Sequence, residues 1–172
     1  FSEMMYIGYF SFYLLIIGFT VYTYFKKTYL NEQSIFILCS SLYIYYYVFA
    51  LIPAQGPQFF FDSPLNNLPK AYMFDKVMHF IQAIGEQPTG AFPSSHVAIS
   101  LIILMISKDR APQFFRIALP FSILLILSTV YIKAHYVVDV LAAFITAPLV
   151  LHISKSIYNL KIDDRPVRPH AE

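Results

Sequence analysis

The stretch GAFPSSHVAISLIILMIS, residues 90–107, runs for 18 residues with no Asp, Glu, Lys or Arg. Pro93, Ser94, Ser95 and His96 stand at its head, and nearly everything behind them is apolar. Ser94 suits an N-cap, because its hydroxyl accepts a hydrogen bond from an amide of the first helical turn. A helix crosses a bilayer with about 17–25 mostly apolar residues, and a lone strand would leave its backbone groups unpaired in lipid. The segment therefore predicts a spanning helix that opens on a small polar cluster.

Four more segments of this kind surround it. Residues 4–25 and 34–54 give runs of 22 and 21 without a charge. Residues 117–132 give 16, and residues 136–154 give 19, interrupted by Asp139 and His152. Their outer faces are not amphipathic, which argues against a soluble bundle. The expected fold is all-α: a polytopic membrane helix bundle with five spans. Residues 1–155 form a single membrane-embedded catalytic domain, and residues 156–172 a mobile cytoplasmic tail.

Composition agrees. Of 172 residues, 58% are hydrophobic and 13% charged, against roughly 25% charged in soluble domains. The net charge of +2 is too small to suggest a nucleic-acid partner. The single cysteine, Cys39, excludes an intramolecular disulfide and any Cys-cluster metal site. No cleavable signal pattern opens the chain. It begins at Phe1, so upstream sequence is expected to be missing.

The basic residues orient the bundle. Lys26, Lys27, Lys108, Arg110, Arg116, Lys155, Lys161, Arg165 and Arg168 fall on one side, nine of the 12 Lys and Arg. Lys70, Lys76 and Lys133 fall on the other. Cytoplasmic loops carry the excess of Lys and Arg, so the long loop of residues 55–89 and the turn at residues 133–135 are expected on the extracytoplasmic face. Within that loop, KAYMFDKVMHFIQAIG, residues 70–85, reads as an amphipathic helix, lying at the interface or simply packed against the loop.

Two polar groups converge on that outer face. One is the start of the third span, where a helix N-terminus with Ser94 and Ser95 suits an anion such as phosphate. The other is STVYIKAHYVVDVLAAF, residues 128–144, in which His135 and Asp139 are four apart and share a helix face. A carboxylate just inside an apolar span is usually paired and functional. Asp139 can orient and charge-stabilise the His135 imidazole. Lys133 can supply positive charge, or can be a snorkelling flank. His79 and His152 read as ordinary interfacial residues. Two imidazoles, a carboxylate and an anion cradle suit phosphoryl transfer, with His135 as nucleophile toward phosphorus and His96 as general acid. The substrate would be an anionic headgroup on a membrane lipid.

PSSH at residues 93–96 resembles the PSGH motif of the type 2 phosphatidic acid phosphatase superfamily, and residues 128–139 resemble its Ser-Arg-x5-His-x3-Asp motif through Ser128, His135 and Asp139. VYIKAHYVVDVLA also resembles the branch containing inositol phosphorylceramide synthases. The resemblance covers residues 50–145. It implies a phosphohistidine on His135 supported by Asp139, with His96 as the acid, no metal or other cofactor, and six spans in the native chain. PAQGPQF, residues 53–59, occupies the place of the family's first motif and offers Gln58 where that motif supplies Lys and Arg. Thr129 replaces the Arg of the third motif, and Ser95 the Gly of PSGH.

The candidate site is thus His135, Asp139 and His96 for chemistry, with Ser94, Ser95, Lys133 and Gln58 for substrate. The first expectation is an integral lipid phosphatase of a plasma or inner membrane, acting on its extracytoplasmic face. Its cation-poor variant of the motifs leaves open a headgroup phosphotransferase acting on a phosphodiester. A metal-dependent membrane protein and an inactive lipid-binding relative are the alternatives from other classes. Oligomeric state is not legible in the sequence.

Overall fold

A computed structural model describes residues 1–26, 30–60, 70–85 and 89–163. Among these residues seven helices follow in order: α1 Ser2–Phe25, α2 Leu30–Leu51, α3 Pro57–Phe60, α4 Phe74–Gly85, α5 Ser95–Arg110, α6 Pro112–Tyr131 and α7 Val137–Asp163. Among the described residues there is no strand, only an isolated parallel bridge between Ala54 and Gly90. The all-α bundle expected from the apolar runs is what forms.

Four helices, α1, α2, α6 and α7, are long and apolar enough to cross a membrane. The third apolar segment becomes α5, which has 16 residues. It starts at Ser95 rather than Gly90 because Pro93 and the Ser94 cap, whose Oγ accepts from the Val97 amide, set the first turn there. It then runs past Ser107 through Arg110. α6 begins earlier than its charge-free run, since Pro112 sits in the first turn, where a missing N–H costs nothing. Arg116 lies on its exposed face. α7 is continuous from Val137 to Asp163, through the expected boundary at residue 155; residues 164–172 lie outside the described residues, as do residues 61–69 and 86–88 of the long loop and the side chain of His79.

α5 is the central helix, packed against α1, α2, α6 and α7. Val97, Ala98, Ile99, Ile102 and Ile103 on it are fully buried. α1 packs most closely on α6, where a side chain on Gly8 would come within 2.6 Å of Leu124 Cγ and 3.0 Å of its carbonyl oxygen. Away from this core, Leu14, Ile17, Val21, Tyr43, Tyr47, Leu141 and Ile145 are exposed around the bundle. Large apolar side chains exposed in that number suit a face turned to lipid or to a partner.

The ends of the helices define two poles. At one, Arg110 Nη2 donates to Gln33 Oε1 at 2.7 Å, tying α5 to α2. At the other, the Ser2 and Tyr131 hydroxyls are 3.0 Å apart, so the start of α1 meets the end of α6. The starts of α5 and α7 share this second pole. The long excursion after α2 leaves and returns there too, pinned where the Ala91 amide donates to the Ala54 carbonyl at 3.1 Å. The amphipathic segment forms α4, with Met78 turned into the core. Its first turn is clasped by Glu3 of α1, whose carboxylate accepts from the amides of Tyr72 at 2.8 Å and Phe74 at 3.2 Å.

Candidate active site

Four chain segments meet at the second pole around a cavity of about 490 Å³. α1 contributes Tyr9, Phe12 and Tyr13, which recur at helical spacing on one face. The α2–α3 region contributes Phe49, Gly56 and Gln58; the start of α5 contributes Ser95 and His96; the turn after α6 contributes Ala134 and His135.

His135 is 5% exposed. Its Nδ1 lies 2.9 Å from the carbonyl oxygen of Ala91. A carbonyl can only accept, so Nδ1 carries the proton, and in the neutral ring Nε2 carries the lone pair. Asp139 stands one turn further on, with Oδ2 3.6 Å from the same Nδ1. That carboxylate oxygen accepts from the Tyr136 amide at 2.8 Å, reaching back from the third residue of α7 in the manner of a capping box. Asp139 therefore closes the first turn of α7 and places negative charge beside His135, while the shorter contact to Nδ1 belongs to a backbone carbonyl. Asp139 also fixes α5, because its own carbonyl accepts from the Ser94 amide at 3.1 Å.

His135 Nε2 faces Nδ1 of His96 at 3.3 Å, and His96 Nε2 faces the Tyr9 hydroxyl at 3.3 Å. The His96 ring is flanked by Phe12 and Tyr9, with centroid distances of 4.4 and 4.9 Å. Two imidazoles, one on α5 and one in the turn between α6 and α7, thus share one hydrogen bond.

The substrate-binding candidates divide. Ser95, first residue of α5, lines the cavity beside His96; the first amides of a helix have no carbonyl partner within it. Ser94 is fully buried, and its hydroxyl serves as the α5 cap. Gln58 is 8% exposed and lines the cavity, and its amide donates to the Lys133 carbonyl at 3.1 Å. Gly56 makes that approach possible, since a Cβ there would sit 3.1 Å from the Ala134 carbonyl oxygen. Lys133 is partly exposed, occupies a left-handed conformation with φ of 60°, and is not among the lining residues. Among the described residues, no Lys or Arg lines the cavity, and no group of three His, Cys, Asp or Glu side chains is placed to hold a metal ion.

Tyr9 and the Ala91 carbonyl are the site groups that sequence reasoning missed. Tyr9 is one of 14 tyrosines in the chain, set in an apolar run with no local motif to mark it.

Known proteins bear on this arrangement. Over 120 residues the chain is 29% identical to a PA-phosphatase related-family protein of Dictyostelium discoideum, a match covering 66% of this chain and 22% of that protein. The chain thus spans about a fifth of that relative's length. No solved structure matches it significantly. The family model for the PAP2 superfamily matches residues 2–153, from α1 through most of α7. By that match, the chain belongs to the PAP2 superfamily.

Proposed function

We propose that this chain is an integral membrane lipid phosphatase that works through a phosphohistidine on His135. The observation that carries it is the tautomer of His135: the Ala91 carbonyl claims the Nδ1 proton, which leaves the lone pair on Nε2, facing His96 in the wall of the cavity. In the first step Nε2 attacks phosphorus as the bond from phosphorus to the lipid oxygen breaks. His96, in its protonated form, gives that oxygen a proton and the lipid alcohol leaves. Water then attacks the phosphohistidine, His96 takes back a proton, and free phosphate departs with His135 restored. The amides at the α5 N-terminus and Ser95 hold the phosphoryl oxygens, where charge stabilisation does most of the work of phosphoryl transfer. Asp139 supports the positive charge that His135 gains.

The outward-facing apolar residues of the bundle suit lipid contact, and the described basic residues toward the opposite pole, Lys26, Lys108, Arg110, Arg116 and Lys155, suit the cytoplasm. On this reading the site lies on the extracytoplasmic face. A second activity is favoured by one observation, the lack of Lys or Arg among the described lining residues. A phosphate monoester carries close to two negative charges at neutral pH and a diester one, so a headgroup transferase using a lipid hydroxyl in place of water is the alternative.

The test is to incubate the purified protein with a panel of phospholipids and measure free phosphate and new lipid species together. Free phosphate that disappears with His135→Ala supports the phosphatase. New lipid without free phosphate supports the transferase. Turnover that survives His135→Ala overturns both.

A further inference from the structure

The hydrogen bonds around His96 have a forced direction. The Ala91 carbonyl requires a proton on His135 Nδ1, so the neutral ring accepts at Nε2. The 3.3 Å contact to His96 then needs its proton from His96 Nδ1. A neutral His96 with its proton on Nδ1 accepts at Nε2, so the one O–H of Tyr9 donates to it across 3.3 Å. Tyr9, His96, His135 and Ala91 therefore form a single row of donors pointing one way. The row starts on α1, a helix that carries neither of the two histidine motifs.

We propose that Tyr9 is a positioning residue for the general acid: its hydroxyl holds His96 Nε2, so that Nδ1 is the nitrogen that trades protons with the leaving oxygen and with water. The inference rests on the phosphohistidine mechanism above and assigns to it a residue that neither histidine motif contains. A hydroxyl suits the task because it both donates and accepts. It donates to Nε2 while His96 is neutral. When His96 is protonated, Nε2–H donates to the Tyr9 oxygen instead, and Nδ1–H is the only proton free to reach the substrate. After that proton leaves, the ring remains an Nε2–H tautomer held by Tyr9, with its Nδ1 lone pair ready to take a proton from the attacking water. The proton thus leaves and returns at one atom. The flanking rings of Phe12 and Tyr9 keep the imidazole plane fixed, but only the hydroxyl distinguishes the two nitrogens.

Tyr9→Phe keeps the ring and removes the hydroxyl. Parent, Tyr9→Phe, His96→Ala and His135→Ala are compared on two phosphate monoesters: a phosphatidic acid, whose alkoxide leaving group needs a proton, and p-nitrophenyl phosphate, whose leaving group does not. Losing one hydrogen bond to a charged group should slow Tyr9→Phe about 10- to 100-fold on the phosphatidic acid. The first step on the aryl ester, read as the burst of p-nitrophenol, should change by no more than about 3-fold, since an acid matters little when the leaving oxygen is already a stable anion. His96→Ala should show the same selectivity, larger. Equal losses on both substrates would reduce Tyr9 to a packing residue and overturn the proposal, as would no loss on either. If His135→Ala stays active, the phosphohistidine mechanism itself fails, and that result is read without Tyr9. Should Tyr9→Phe misfold, fluorotyrosines at position 9 keep the shape and alter O–H acidity. The rate on phosphatidic acid should then follow phenol acidity while the aryl burst stays flat; a flat response on both overturns the proposal.

Discussion

Nε2 of His135 and Nδ1 of His96 are hydrogen-bonded to each other at 3.3 Å. A nucleophile needs phosphorus about 3–3.5 Å away, and an acid needs the leaving oxygen within about 2.6–3.2 Å on the far side. Those two distances together exceed the gap, so the rings must part when a phosphoryl group enters. Vanadate, which mimics five-coordinate phosphorus, should bind between them and inhibit. In protein labelled with ¹⁵N-histidine, the signals of both rings should shift on adding vanadate. Shifts confined to one ring would mean that the anion binds beside the pair instead of between its members.

Asp139 has two tasks that one substitution separates. Asn at this position keeps an oxygen for the Tyr136 amide and so keeps the α7 cap, but loses the charge 3.6 Å from His135. Because Ala91 already holds Nδ1, the tautomer should survive. Asp139→Asn should therefore fold normally and lose about 10- to 100-fold in turnover, the equivalent of one charged hydrogen bond. Asp139→Ala should also lower the melting temperature. Equal melting temperatures for the two variants would remove the capping role.

Lys133 holds a left-handed backbone, φ 60°, which costs a residue with a Cβ about 1 kcal/mol. Lys133→Gly removes that strain together with the charge. The variant should be at least as stable as the parent by thermal unfolding. If the ammonium group serves the phosphate, turnover should nonetheless drop by orders of magnitude, and Lys133→Arg should retain most of it. Full activity in Lys133→Gly would leave the phosphate to the α5 amides and Ser95.

The clasp between Glu3 and the first turn of α4 is a cap supplied by another helix. Glu3→Ala should cost about 1 kcal/mol, as a lost N-cap does, and should do so locally. Hydrogen exchange ought to quicken in residues 74–85 with little change in α5. Uniform quickening throughout the bundle would show instead that the start of α1 is part of the global fold.

Orientation is checked with single cysteines in a Cys39→Ser background, since Cys39 is exposed. Tyr72, 91% exposed, should react with an impermeant thiol reagent in intact cells when replaced by Cys. Asp109 at the opposite pole should not. The reverse pattern would move the site to the cytosol.

The bundle was legible because run length and lack of charge are read one residue at a time. The start of α5 was also legible, since Pro93 and Ser94 act through their own backbone and side chain. His135 and Asp139 were legible as a pair from their spacing of four, although His135 stands in the turn before α7 and only Asp139 is on the helix. Their partners were not. Tyr9 reaches His96 only after α1 packs beside α5, and a tyrosine in an apolar run carries no sign of the helix it will face. The short partner of His135 Nδ1 is a main-chain oxygen, which no residue identity announces. The late start of α5, at Ser95 instead of Gly90, was marked by the cap but hidden by a count of apolar residues.

The Ala91 carbonyl has a consequence for how such a site changes over time. Every residue type at position 91 brings the same oxygen, so the atom that sets the His135 tautomer cannot be lost by a point substitution there. An alanine scan would pass over it, and a drifting sequence would keep it so long as the segment between Gly90 and Ser94 holds its path. To remove it one must edit the main chain, for example by making the 91–92 linkage an ester, whose carbonyl is a weaker acceptor. The His135 tautomer is thus guarded by the one part of the polypeptide that mutation does not rewrite, which leaves the surrounding side chains free to vary.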